Sequence, residues 1–216
     1  MKETANRRRC VICAAGPTAR TEELRPLLRS DDWVIAADGG LALARSLGVT
    51  PSVLVADFDS ADREDAESLS AAVVELPVHK DDTDTMAAAR IALEKGCGEV
   101  LILGGTGGRL DHTMANLAVL LYLKRRGVRA VLADEHVRAE MLLPGRHRIE
   151  PAEGWKFSLF AYGGSVSGLF LKNAEYPLEN AVLTPDFPLG ISNEFGDKTV
   201  ELRFEQGILL FFLSKD

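Results

Sequence analysis

The sequence has little of what marks the more specialised protein classes. Its three cysteines, Cys10, Cys13 and Cys97, are too few and odd in number for a disulfide framework, which points to a reducing compartment. Cys10 and Cys13 have CxxC spacing, but Val11 and Ile12 between them read as a buried strand. In an extended strand the two thiols point to opposite faces, which does not suit a shared metal, so both read as small buried apolar residues. No apolar run approaches the roughly 18 residues of a membrane span. After the basic start MKETANRRRC, the apolar stretch Val11 to Ala15 is too short for a secretory signal core, so a cytoplasmic protein without membrane association is expected. An excess of positive charge is also missing. Lys and Arg number 25 against 32 Asp and Glu, and the net charge of −7 argues against a nucleic-acid partner. Internal repeats, low-complexity tracts and long Gly/Ser linkers are absent.

What remains is an ordinary globular composition, 46% hydrophobic and 26% charged, in a chain of 216 residues that can hold one large domain or two modest ones. The first 134 residues alternate apolar runs at 10–15, 33–37, 52–56, 72–77, 99–103 and 129–133 with helical patterns at 18–30, 39–48, 62–71, 83–96 and 111–126. In the last of these, Met114, Leu117, Ala118, Leu121 and Tyr122 follow helical spacing. Continuous Val, Ile, Leu and Ala runs alternating with helices predict an α/β domain, residues 1–134, built on a parallel sheet covered on both faces. From about residue 137 the texture changes to short strand-like runs (VRAEMLL, HRIEP, KFSLFAY, SVSGLFL, KTVELRF, ILLFFL) separated by Gly, Pro, Asn and Asp. That pattern predicts a small all-β sandwich or barrel over 135–216.

Polar clusters follow four successive strands of the α/β part: Asp38-Gly39-Gly40, then DFDS at 57–60, KDDTDT at 80–85, and GGTGGRLDH at 104–112. Ligands of open parallel sheets bind beyond the carboxyl ends of the strands, so the four clusters converge on one crevice. Asp57 and Asp59, two apart in an extended segment, can lean to the same side and repel each other unless a cation sits between them. Mg²⁺ suits hard oxygen ligands and bridges carboxylates to phosphates. The alternative is a turn in which Asp59 or Ser60 caps a helix. The loop Gly104, Gly105, Thr106, Gly107, Gly108 lets backbone N–H groups approach phosphates at a helix N-terminus, although no GK[ST] follows as in a Walker motif. Arg109 adds a guanidinium suited to phosphate oxygens. Asp111 either caps the helix or helps hold Arg109 and a metal, and His112 reads as a helix-start residue. In KDDTDT, Thr83 or Asp84 serves as an N-cap, or Asp84 joins the metal carboxylates with Lys80 near phosphate.

Taken together and in this order, these motifs resemble the signature of thiamine pyrophosphokinases, and FSLF (157–160) with GISNEF (190–195) resemble that family's thiamine-side segments. The resemblance spans about residues 10 to 213. It implies transfer of the β,γ-diphosphate of ATP to the hydroxyl of thiamine, giving thiamine diphosphate and AMP, with Mg²⁺ as cofactor. It further implies a homodimer whose active sites are shared across the interface. Carried over, Asp57, Asp59 and Asp84 would bind Mg²⁺ with Asp38 nearby. Arg109 and Asp111 would serve the phosphates and their metal. Asp38, Gly39, Lys80, Gly104, Thr106, Gly107 and Gly108 would line the ATP site, and Ser192 and Asn193 would contact thiamine. The chain departs from the family at Ala56, where glycine is usual. It departs again at LLFF (209–212), where a tryptophan is common and Phe211 would stand in as the aromatic platform. Two rivals share parts of this pattern. A diphosphokinase for another primary alcohol, such as a hydroxymethyl-pterin, would keep the phosphate clusters, but the SNEF segment favours thiamine. A non-catalytic nucleotide- or thiamine-binding regulator would be expected to have lost carboxylates or Arg109, and none is missing.

Overall fold

The computed structural model describes residues 8–18, 20–56, 72–75 and 82–215. Within them the chain forms two compact units, Met1–Glu135 and His136–Asp216. The first is built on six parallel strands: β1 (Arg9–Cys13), β2 (Trp33–Ala37), β3 (Val53–Ala56), β4 (Ala72–Glu75), β5 (Glu99–Leu103) and β6 (Arg129–Ala133). They lie in the order β6-β5-β1-β2-β3-β4. β1, β2, β3 and β5 are buried along nearly their whole length, as strands covered on both faces must be. The helices are α1 (Thr21–Leu24), which tightens into a 3₁₀ turn at Arg25–Leu27, then α2 (Gly40–Leu47), α3 (Asp84–Glu94) and α4 (Leu110–Lys124). The helical pattern at 18–30 yields only this short piece because Pro26 has no N–H for the helical ladder and crowds the preceding turn. The pattern at 62–71 lies outside the described residues.

α4 forms where the helical spacing predicts it, but the apolar residues that carry that spacing do not mark its inner face. Its buried residues are Asn116, Leu117, Val119, Leu120 and Leu123, whereas Met114 and Ala118 are exposed. From Leu117 to Leu123 every residue is apolar, so periodicity could establish a helix but not choose its inner face. The cysteines are free and buried; burial pushes the Cys13 thiol up to about 12, and Cys10 shares a hydrogen bond with Cys97.

The second unit holds two antiparallel sets of strands. One consists of β7 (Val137–Leu142), β14 (Leu209–Ser214), β9 (Lys156–Ala161) and β12 (Gly190–Asn193), in that order. The other runs β8 (Gly145–Ile149), β13 (Val200–Phe204), β10 (Val166–Lys172), β11 (Leu178–Leu183). Alternate residues of both sets meet in one core around Phe157, Leu159, Leu171, Leu202, Leu209 and Phe211. Phe157 is fully buried, with ring centroids 4.9 Å from Phe195 and 6.2 Å from Phe211. β11 and β12 were not among the expected strands: LENAVL is half exposed and mixed in polarity, and GISN is four residues long.

Because Phe157 joins both sheets, Phe157→Ala should lower the unfolding free energy by about 3–5 kcal/mol. Denaturant titration checks this, and a loss below about 1 kcal/mol would place the core elsewhere.

Candidate functional site

A cavity of about 470 Å³ opens at the carboxyl ends of the first unit's strands. Its wall comes from the segments after β1 (Ala14–Pro17), β2 (Ala37, Asp38) and β5 (104–109), and from the starts of α3 and α4. The first of these segments was not singled out in the sequence, since AAGP carries no charged or nucleophilic group. Its role is steric: Gly16 N–H donates to the Gly104 carbonyl at 2.7 Å, and a Cβ on Gly16 would stand 2.3 Å from that oxygen. Gly104, Gly107 and Gly108 all take left-handed backbone angles (φ 66°, 76° and 60°), which side-chain-bearing residues rarely adopt. Asn116 was also missed. Buried on α4, it donates from Nδ2 to the Gly105 carbonyl at 2.8 Å and ties the helix to the loop.

Not every polar group in these segments faces a ligand. The Thr106 hydroxyl hydrogen-bonds Asp134, just after β6, so it braces the loop. Thr83 is the N-cap of α3, its side chain accepting from Met86 N–H at 3.2 Å, which leaves Asp84 in the first turn on the cavity wall. Asp82 lies 3.2 Å from Arg90 in an ion pair. Asp38 sits on the wall in a left-handed conformation (φ 49°), its N–H bonded to the Val55 carbonyl at 2.7 Å. Gly39 is the N-cap of α2, which starts at Gly40 against the end of β1. Asp57, Asp59 and Lys80 lie outside the described residues. Ala56, where the resemblance leads one to expect glycine, is a fully buried residue of β3 with no left-handed angle, so a methyl group is accommodated without strain.

Arg109 and Asp111 form the most definite charged feature of the rim. Arg109 is the N-cap residue of α4 but makes no side-chain cap bond; its Nε and Nη2 donate to the two Asp111 carboxylate oxygens at 3.1 and 2.5 Å. Both side chains are largely exposed. The guanidinium, with a further hydrogen bond from His112 N–H, holds the Asp111 carboxyl down from 3.8 to about 2. Asp111 thus fixes the plane of Arg109, while Nη1 donates to nothing among the described residues. His112 and Ala115 complete this wall.

In the second unit, Asn193 is a buried lock. Its Oδ1 accepts from Tyr176 N–H at 3.0 Å and Glu194 N–H at 2.9 Å, and its Nδ2 donates to the Tyr176 carbonyl at 2.7 Å. Beside it Ser192 is exposed in a left-handed conformation (φ 54°), with its N–H donating to Ser158 Oγ at 3.0 Å. Phe211 belongs to the inter-sheet core and is 8% exposed, so its ring packs against Phe157 and offers no open platform. Alternation along β14 turns position 211 inward, a fact that the LLFF run, apolar at every position, conceals.

Comparison with known proteins gives a consistent result. Residues 24–132 match the family described as thiamin pyrophosphokinase, catalytic domain, and residues 146–209 match thiamin pyrophosphokinase, vitamin B1 binding domain. The chain is 30% identical to the thiamine pyrophosphokinase of Bacillus subtilis (strain 168) over 209 residues, 95% of this chain and 98% of that protein. The crystal structure of thiamine pyrophosphokinase from Bacillus subtilis superposes with a TM-score of 0.88 at 28% identity, covering 97% of this chain and all of that one. That of Geobacillus thermodenitrificans gives 0.84 at 28% identity, with 96% and 98% covered. Asp38, Asp84, Arg109 and Asp111 fall within the first matched region and Ser192 and Asn193 within the second; Phe211 lies just beyond it.

A depressed carboxyl is favoured in its charged form above its ordinary value, so the ion pair holds above about pH 4 and is lost as pH falls through about 2. Carboxyl-carbon NMR should show Asp111 titrating near 2, and moving up toward 3.8 in Arg109→Gln, with the His112 N–H still holding it below that value. An unshifted Asp111 in the wild-type chain would dissolve the pair.

Proposed function

The chain belongs to the thiamine pyrophosphokinase family, and on that premise we propose how its own residues divide the work. The reaction is that of an ATP-dependent thiamine diphosphokinase: the thiamine hydroxyl takes the β,γ-diphosphate of ATP and AMP leaves. What supports the residue assignments is the cavity at the strand ends, with a floor of bare glycine backbone and a rim of carboxylates beside one oriented guanidinium.

The first unit is the nucleotide-binding half. Backbone N–H groups of 104–108 and the start of α4 face the phosphates, and the absence of side chains at four of these five positions allows close approach. Arg109, braced by Asp111, presents a planar donor edge to phosphate oxygens, so reorganisation on binding is small. Gly39 and Lys80 belong to the same site in this reading. Thr106 acts through Asp134 by holding the loop in shape.

The donor chemistry of the rim fits Mg²⁺. Asp38 and Asp84 are hard oxygen donors on the cavity wall, and neither cysteine nor a buried imidazole stands among the lining residues. Asp84, with Asp57 and Asp59, would hold the ion and Asp38 would stand near it. When bound, the ion neutralises phosphate charge. The chain's own contribution is positioning: it holds the nucleotide against the loop and excludes alternatives by shape.

The second unit is the thiamine-binding half in this reading. Ser192 is the exposed contact, and Asn193 positions it by clamping the 174–176 segment. Phe211 supports the site from the core. A homodimer with sites shared between subunits is consistent with two sets of exposed apolar residues. Leu110 (75% exposed) and Met114 (52%) flank the cavity-lining His112 on α4, and Tyr176, Phe187, Leu189 and Ile191 are exposed around Ser192.

Complementation tests the shared site. Asp84→Asn chains and Asn193→Ala chains should each be nearly inactive. When they are refolded together, heterodimers should regain about half a wild-type dimer's activity, because one of two clefts escapes both defects. No recovery in a verified heterodimer would mean that each site is built within one chain.

A further inference from the structure

The reaction described above makes no use of the outer face of the β8–β13–β10 sheet. Leu171 and Leu202 turn into the core of the second unit, so Phe170, Lys172, Glu201 and Arg203 stand on the opposite side of the sheet. With Arg146 and Arg148 they line a concavity of about 350 Å³. Register arranges them in two rows across three strands. One row is Phe170, Arg203, Arg146 and the other is Lys172, Glu201, Arg148.

The rows differ electrostatically. Lys172, Glu201 and Arg148 alternate in sign, which favours pairing of the strands. Arg203 and Arg146 are directly opposed like charges on neighbouring antiparallel strands, with Cα atoms about 4.5–5.5 Å apart, an arrangement that destabilises a sheet. The face carries four cations against one carboxylate, in a chain whose overall charge is −7, and none of the four is in an ion pair among the described residues. Composition therefore does not account for the cluster. The Arg203 guanidinium lies 4.0 Å over the Phe170 ring, a contact that fixes its plane, and its N–H groups donate no hydrogen bond among the described residues.

We propose that this face is a second anion site, separate from the reaction centre, which binds the polyphosphate chain of a small molecule such as inorganic triphosphate or a nucleoside triphosphate. The two rows stand about 7 Å apart along the strands, so one small anion reaches a single row whereas a chain of phosphates spans both. Opposed arginines that repel each other when the site is empty become a two-sided clamp on one phosphate, and Arg148 and Lys172 receive the next. A single-stranded nucleic acid is less suited, because the one aromatic ring of the face already carries Arg203 and no open stacking platform remains.

The test is calorimetric titration of the full chain with inorganic triphosphate in EDTA at low salt, on wild type, Arg146→Gln, Arg203→Gln and Arg109→Lys. The expected result is binding that weakens at least roughly tenfold in each of Arg146→Gln and Arg203→Gln, survives in Arg109→Lys, and falls as salt rises. ATP added in EDTA should compete for the same site. With the opposed charge removed, ligand-free Arg146→Gln should melt no lower than wild type. Four results would overturn the proposal: affinity for triphosphate unchanged by both substitutions, a lowered melting temperature in Arg146→Gln, binding of a single-stranded RNA oligomer but not of triphosphate, or a change of oligomeric state in Arg146→Gln showing that a second copy covers the face. The outcome is independent of the catalytic assignments, because Arg146 and Arg203 take no part in them.

Discussion

The main chain at Gly16 and at Gly104 meets in a direct hydrogen bond, and the arrangement of the cavity at the strand ends follows from that contact. β1 and β5 are adjacent in the sheet, and their exits must pass each other within the space a Cβ would need. Side chains are therefore excluded from the floor. What the floor offers a ligand is peptide N–H groups and the end of a helix, which suit phosphates. Charged side chains at the cavity come from its rim: Asp38 after β2, Asp84 at the start of α3, Arg109 and Asp111 at the start of α4.

Two of the rim carboxylates are matched by cations of the chain itself. Asp82 is matched by Arg90 and Asp111 by Arg109, so these two carboxylates are neutralised within the chain. The opposite balance prevails on the outer face of the second unit, where cations outnumber carboxylates.

Much of the first unit was legible in the sequence because each signal had one structural solution. Continuous apolar runs of five residues could only be covered parallel strands, and the described parts of the polar clusters after them (Asp38, 82–85 and 104–109) meet at one edge of the sheet. Where several solutions fitted, the sequence was silent. The apolar run of α4 did not reveal which side faces inward, and the run at 209–212 did not reveal that Phe211 is a core residue. Asn193 was expected to contact thiamine; its hydrogen bonds to Tyr176 and Glu194 make it a clamp, a role that depends on a partner 17 positions away. Gly16 and Asn116 escaped notice because their roles are steric and structural, and neither type of residue announces chemistry.

The most direct measurement of the central claim follows the phosphorus atoms. Purified chain supplied with ATP, thiamine and Mg²⁺ and observed by ³¹P NMR should form AMP and thiamine diphosphate in equal amounts, with neither product appearing in EDTA. Formation of ADP with thiamine monophosphate would contradict diphosphate transfer, and AMP release with a hydroxymethyl-pterin but not with thiamine would contradict the substrate.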